Sequence, residues 1–177
     1  MVRDNAPLID DPVARALRGF GPLGLLAILV ITVAFHPALK AALVLLWAWR
    51  SHTPWREIGY VRPRSWTRSL AAGLAFGVAF KLIMKAIVMP LFGAAPINST
   101  YHFLVGNSAA LPVMFVATTV GAGFGEETFF RGYLYERLGK LFGVSGGAKT
   151  LIVVITSILF ALAHFPEQGM AGSSRRS

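Results

Sequence analysis

The chain of 177 residues contains no cysteine. Disulfides, thiolate metal sites and a cysteine nucleophile are therefore excluded, and any metal would have to be held by histidine and carboxylate. Charge is also scarce, at 14% of residues against about 25% in an ordinary soluble domain. Acidic residues are scarcer still, with eight Asp and Glu against 17 Lys and Arg, for a net charge of +9. Residues 1–18 are polar and mixed in charge, without the basic start, apolar stretch and cleavage site of a signal peptide. No internal repeat is present.

What is abundant is apolar: 55% of residues, with a mean hydropathy of +0.60. The apolar residues are gathered into runs, which argues for membrane spans rather than one water-soluble core. The basic surplus lies mostly between the runs, so it reads as a topology signal and not as a nucleic-acid interface. Four apolar regions follow the polar start: Gly19–Trp49, about Trp66–Phe92, Ala109 to an amphipathic end near Phe142, and Ala148–Phe165. About 20 helical residues cross a bilayer, so each of the last three holds one span. The first is long for one span and short for two, and His36-Pro37 in its middle favours a hairpin of two short arms. The expectation is an all-α, polytopic transmembrane helix bundle with about four to five spans. It occupies residues 19–165, between a polar segment 1–18 and a polar tail 166–177.

Loop charge sets the orientation. Arg50–Arg68 carries five arginines against one glutamate, Gly93–Ser108 carries no charge, and Arg137–Lys149 is basic again. The first and third connections are therefore expected in the cytoplasm. Trp47, Trp49, Trp55, Tyr60 and Trp66 flank the first as an interfacial belt would. Gly73-x3-Gly77 and Gly121-x3-Gly125 have the spacing of close helix packing in lipid. Asn98-Ser99-Thr100 matches a glycosylation sequon.

Ionisable residues within a span are expensive and mark function by default. The densest group is Gly125-Glu126-Glu127-Thr128-Phe129-Phe130-Arg131-Gly132. Successive residues of an α-helix point about 100° apart, so the two carboxylates diverge. Glu127 and Arg131 are i,i+4 in the favoured order and can pair, which leaves Glu126 as the better base. A second candidate is His164, one turn after Phe160 and on its face. Glu126 lies sixteen residues before Phe142, and His164 sixteen after Ala148, on either side of the Gly143–Gly147 turn. In an antiparallel α-helical hairpin both would sit about 24 Å from that turn. A carboxylate and an imidazole at one depth can orient and deprotonate a water. They could equally be part of a metal site, although zinc hydrolases use three protein ligands and the His-Glu-x-x-His motif is absent. The plainer readings are an ion cluster that orients a helix at the membrane edge, and a satisfied helix-end histidine. Lys81 and Lys85 read as snorkelling or cavity-lining side chains, His102 as a loop residue, and His36 as a kink or turn residue.

Glu126-Glu127-x3-Arg131 followed by Phe160-x3-His164 resembles the paired motifs of the CPBP family, the CAAX prenyl proteases and bacteriocin-processing enzymes also called Abi. Trp55-Arg56-Glu57-Ile58-Gly59 and the arginine-rich loop look like that family's upstream region. The resemblance implies an intramembrane endopeptidase in which Glu126 and His164 act on the hydrolytic water, with Glu127, Arg131 and Phe160 supporting. If a metal such as zinc takes part, Glu126 and His164 would be its ligands. The partners implied are the lipid bilayer and a peptide or protein substrate, with no nucleic acid, in a multi-pass protein of a bacterial inner membrane. The family continues to a third motif, whereas this chain ends at Ser177, so a C-terminally truncated member is expected. The alternatives are a non-catalytic membrane scaffold or immunity-type protein that keeps the fold, and a transporter using Glu126, Lys81 and His164 as a polar path.

Overall fold

A computed structural model describes residues 11–91, 99–143 and 145–168. Among these every regular element is helical. We number the principal helices α1 (Pro12–Arg18), α2 (Pro22–Val33), α3 (Pro37–Arg50), α4 (Trp66–Leu91), α5 (Ser108–Phe142) and α6 (Gly146–Gln168). The sequon's Asn98, most of the polar N-terminal segment and residues 169–177 of the tail lie outside the described residues.

Among the described residues three helices are long and apolar enough to cross a membrane: α4, α5 and the Gly146–His164 part of α6. A fourth span results if α1 and α2, bent by 57° against each other, are counted as one. The all-α membrane bundle expected from the sequence is thus what the chain forms, with three such helices, or four spans if the bent pair is one, against the four to five expected. The protein is an integral membrane protein, and its surface agrees. Leu74 (71% exposed), Phe76 (72%) and Phe115 (72%) would be a severe liability in water and are ordinary against lipid.

The chain divides into two units. The first holds the residues up to Tyr60 together with Thr118–Glu136, the middle of α5. Its α2 and α3 resolve the ambiguous first apolar region into two arms of 12 and 14 residues. At ~18 and ~21 Å neither arm spans a bilayer. Proline stands in the first turn of each, where a missing N–H goes unnoticed. His36 caps α3, its Nδ1 accepting from the Ala38 N–H at 3.2 Å, which bears out its reading as a turn residue. Phe35 at the tip is 91% exposed, as suits a hairpin that dips its tip into lipid.

The middle of α5 lies along α3 and runs in the same direction. Gly125 meets the Pro37 backbone, and farther along Tyr133 meets Trp47 edge-on with ring centroids 4.9 Å apart. Helices that run in one direction place both their basic C-terminal connections on one side, as the loop charges require. The core between them is Ile31, Val44, Trp47, Ala48, Ile58, Phe129 and Tyr133. Trp47 therefore does not belong to the interfacial belt. It is 4% exposed, and its indole N–H donates to the Leu17 carbonyl at 3.0 Å. Trp49, Trp55, Tyr60 and Trp66 are exposed, as a belt requires.

Polar contacts close the open end of the hairpin. Asp11 caps α1 by accepting from the Val13 and Ala14 N–H groups, and it pairs with Arg50 at 2.5 Å. The Arg50 guanidinium and then the Ala14 amide hold the Asp11 carboxyl at about 2, below the usual 3.8. A depressed folded-state value means that this contribution to stability is complete above about 4 and is lost as the pH falls through about 2. On acidification α1 is expected to loosen over that window, read as a change in Trp47 fluorescence because the indole bonds to α1. Asp11→Asn should remove the transition, and a transition unchanged in that variant would show that another group controls it.

The second unit holds Val61–Ala117 and the residues from Arg137 onward. Ser65 caps α4, its hydroxyl accepting from the Arg68 N–H at 3.3 Å, just after the arginine-rich stretch. The turn between α5 and α6 is short. Gly143 takes φ +88°, and Ser145 then opens α6, its hydroxyl accepting from the Ala148 N–H at 3.2 Å. Among the described residues a Cβ at Gly73 or Gly77 would meet nothing within 4 Å.

Candidate active site

From Ala117 to Tyr133 the helix α5 is wound in the π register, with i→i+5 backbone bonds. The composition explains why α winding is weak here. Thr118, Thr119 and Val120 are β-branched, and glycines stand at 121, 123, 125 and 132. Both glutamates lie in this stretch. The α-helical pitch assumed in the sequence reading does not hold over this stretch, so the estimate of ~24 Å from the turn to Glu126 is replaced by a shorter axial rise.

The buried face of the segment is Gly125, Thr128, Phe129, Gly132 and Tyr133. Two glycines let backbone meet backbone. A Cβ on Gly125 would fall 2.7 Å from the Pro37 carbonyl, and one on Gly132 would fall 2.9 Å from the Ile58 carbonyl oxygen. The second contact seats the Trp55–Ile58 turn against the motif helix. The upstream Trp55–Gly59 segment is thereby part of the same site as the glutamates. Gly59 leaves the turn at φ +86°, a left-handed conformation that favours glycine, and this directs Tyr60 back toward α5.

Glu127 and Arg131 form the expected i,i+4 ion pair. Glu126 is half-buried on a different side and is coupled by charge to Lys40 of α3. The Lys40 ammonium stands 4.7 Å from the centre of the Phe129 ring, a cation–π contact. In the sequence Lys40 stands as a lone charge inside the apolar region Gly19–Trp49. Its signal was that an uncompensated cation among aliphatic residues needs an anion nearby.

Beside the ion pair is a cavity of about 300 Å³, lined chiefly by Tyr60, Phe124, Glu127, Thr128 and Arg131 over a floor of glycine backbone. Tyr60 and Thr128 share a hydrogen bond of 2.7 Å, and the Thr128 hydroxyl donates to the Phe124 carbonyl, also at 2.7 Å. Neither residue stood out in the sequence as part of the motif.

In the second unit, His164 and Phe160 meet as their spacing predicts, with ring centroids 4.3 Å apart. His164 Nδ1 lies 2.9 Å from the Phe160 carbonyl, which can only accept, so Nδ1 carries the proton. In the neutral ring Nε2 then holds the lone pair that takes up a proton. The structure thus brings together Glu127 with Arg131, Glu126 with Lys40, and Phe160 with His164. Lys81 and Lys85 lie exposed on α4, consistent with snorkelling, and His102 is exposed in a 3-10 turn.

Among the described residues no group of three histidine, aspartate or glutamate side chains could hold a metal ion. Glu126 and His164 are at most two ligands where a catalytic zinc takes three from the protein, so these residues do not fit a metal centre of their own.

Residues 108–174 match the family described as type II CAAX prenyl endopeptidase, Rce1-like. The resemblance drawn from the paired motifs is borne out by this match, which contains Glu126, Glu127, Arg131, Phe160 and His164. Neither a curated protein nor a solved structure matches the chain.

Proposed function

We propose that this protein is an intramembrane endopeptidase of the CAAX-protease type, which hydrolyses a peptide bond of a membrane-associated peptide or protein with a glutamate-activated water. The observation that carries this reading is that the family match covers both motif halves, and its carboxylates sit in the middle of a helix long enough to span the membrane. Glu126 is the base. It takes a proton from water, whose oxygen adds to the scissile carbonyl carbon as the C–N bond breaks, and the departing amine receives the proton. His164 assists through Nε2, whose lone pair accepts a hydrogen bond from the water and orients it. Glu127 and Arg131 neutralise each other and fix the turn that presents Glu126. The setting is a multi-pass protein of a bacterial inner membrane, with the substrate presented from the cytoplasmic side.

The test is cleavage of a membrane-presented peptide library by the purified chain in liposomes. Cleavage by the wild type that is lost in Glu126→Ala and in His164→Ala supports the assignment. Cleavage unchanged by Glu126→Ala overturns it, and a wild type that cleaves nothing favours the non-catalytic scaffold.

A further inference from the structure

We infer that Tyr60 and Thr128 are positioning residues for the Glu126-Glu127 turn, acting through a hydroxyl relay that runs from the loop after α3 into the backbone of the motif helix. This deepens the endopeptidase reading and rests on it for its catalytic consequence, though not for its structural one. The direction of the relay follows from the partners. The Phe124 carbonyl can only accept, so the single Thr128 hydroxyl proton goes to it, at 2.7 Å. The Thr128 oxygen is then the acceptor in the 2.7 Å contact with Tyr60, and the phenol is the donor. The chain of donation is Tyr60 O–H to Thr128 Oγ1, and Thr128 O–H to the Phe124 carbonyl.

The position of this relay gives it its effect. Phe124 and Thr128 bracket both glutamates within the π-wound stretch. In that register the Phe124 carbonyl pairs with the backbone N–H five residues on, and the Thr128 hydroxyl supplies a further donor there. Thr128 is 4% exposed, so its hydroxyl has to be satisfied within the protein. Tyr60 is held to this task by its neighbours. Its ring packs edge-on to Trp55, with centroids 6.2 Å apart, and lies 6.3 Å from that of Phe124. The left-handed Gly59 before it and the Ile58 carbonyl on Gly132 fix the approach of the loop. The relay thereby couples the cytoplasmic arginine-rich connection to the register that aims Glu126.

Three variants separate the hydroxyls from the rings and methyls. Tyr60→Phe keeps the aromatic packing and deletes one hydrogen bond. Thr128→Val keeps the shape and deletes both, whereas Thr128→Ser retains both. With one hydrogen bond worth about fivefold, kcat for peptide cleavage is expected to fall about fivefold in Tyr60→Phe and by about tenfold or more in Thr128→Val. KM should be unchanged and Thr128→Ser should restore the rate. A second readout does not depend on cleavage. The chain has no cysteine, and Gly123 lines the cavity with room for a Cβ, so a single Gly123→Cys can be labelled by a soluble maleimide. Labelling is expected to speed up about fivefold on adding Tyr60→Phe and to stay unchanged with Thr128→Ser. If the wild type does not cleave but labelling follows this pattern, the relay stands and the endopeptidase reading fails. If Tyr60→Phe matches the wild type in labelling, or Thr128→Ser behaves as Thr128→Val does, the relay is overturned.

Discussion

Glu126→Gln is expected to reduce the rate of peptide cleavage by about 10²–10⁴-fold, the usual contribution of a positioned general base. Gln keeps the size of the side chain, so what is lost is the ability to take a proton, together with the negative charge that faces Lys40. The neighbouring Glu127→Gln provides the contrast. It leaves Arg131 without its i,i+4 carboxylate, so its defect should fall first on stability and labelling of the motif helix. Exposed ion pairs contribute about 0–1 kcal/mol, and both partners here are more than half exposed, so the effect in detergent should be small. Adding Arg131→Met to Glu127→Gln removes the leftover charge and is expected to recover part of the loss, whereas no second substitution at Arg131 should rescue Glu126→Gln. The measurements are kcat, KM and the thermal midpoint of each variant. A Glu127→Gln enzyme that is as stable as the wild type yet as inactive as Glu126→Gln would reverse the two assignments.

That contrast was legible in the sequence because it depends on local spacing. An acid four residues before a base meets it on α winding and still meets it here. The spans were legible for a similar reason, since 20 apolar residues in a row have few other fates. The hairpin in the first apolar region followed from one proline beside one histidine. What could not be read was set by contacts between distant segments. Trp47 has the composition of a belt residue, and only the Leu17 carbonyl and the Tyr133 ring reveal it as core. The π register depends on backbone bonds that weak α-formers permit without requiring. Tyr60 lies 68 residues from Thr128, and no periodicity links them. Glu126 and His164 are a different case. Their pairing came from counting residues to a shared turn, and each is now set in its own helix with its own partners, so the proposal that they act on one water is tested by the paired variants.

Alanine at Gly121 and at Gly125 is expected to change stability in opposite directions. The two glycines are one i,i+4 step apart in one small-residue motif, and helix propensity alone favours alanine at both by about 1 kcal/mol. At Gly121 a Cβ meets nothing within 4 Å, so the propensity gain should appear as a raised thermal midpoint. At Gly125 the same methyl would lie 2.7 Å from the Pro37 carbonyl carbon and oxygen and 2.9 Å from its Cβ. Those are backbone and ring atoms that cannot turn aside, so α3 and the motif helix must separate. Overpacking of this kind costs about 1–3 kcal/mol, which lowers Tm by roughly 2–12 °C in a chain of this size. The consequence reaches the site as well. The Gly125 contact sets how close α3 comes, and one turn farther along each helix Lys40 stacks on Phe129 and is coupled to Glu126. Gly125→Ala should therefore also reduce cleavage at temperatures where the protein remains folded, and Gly121→Ala should not. If the two variants shift Tm in the same direction, the close approach of α3 to the glutamate-bearing helix is not what holds this half of the protein together.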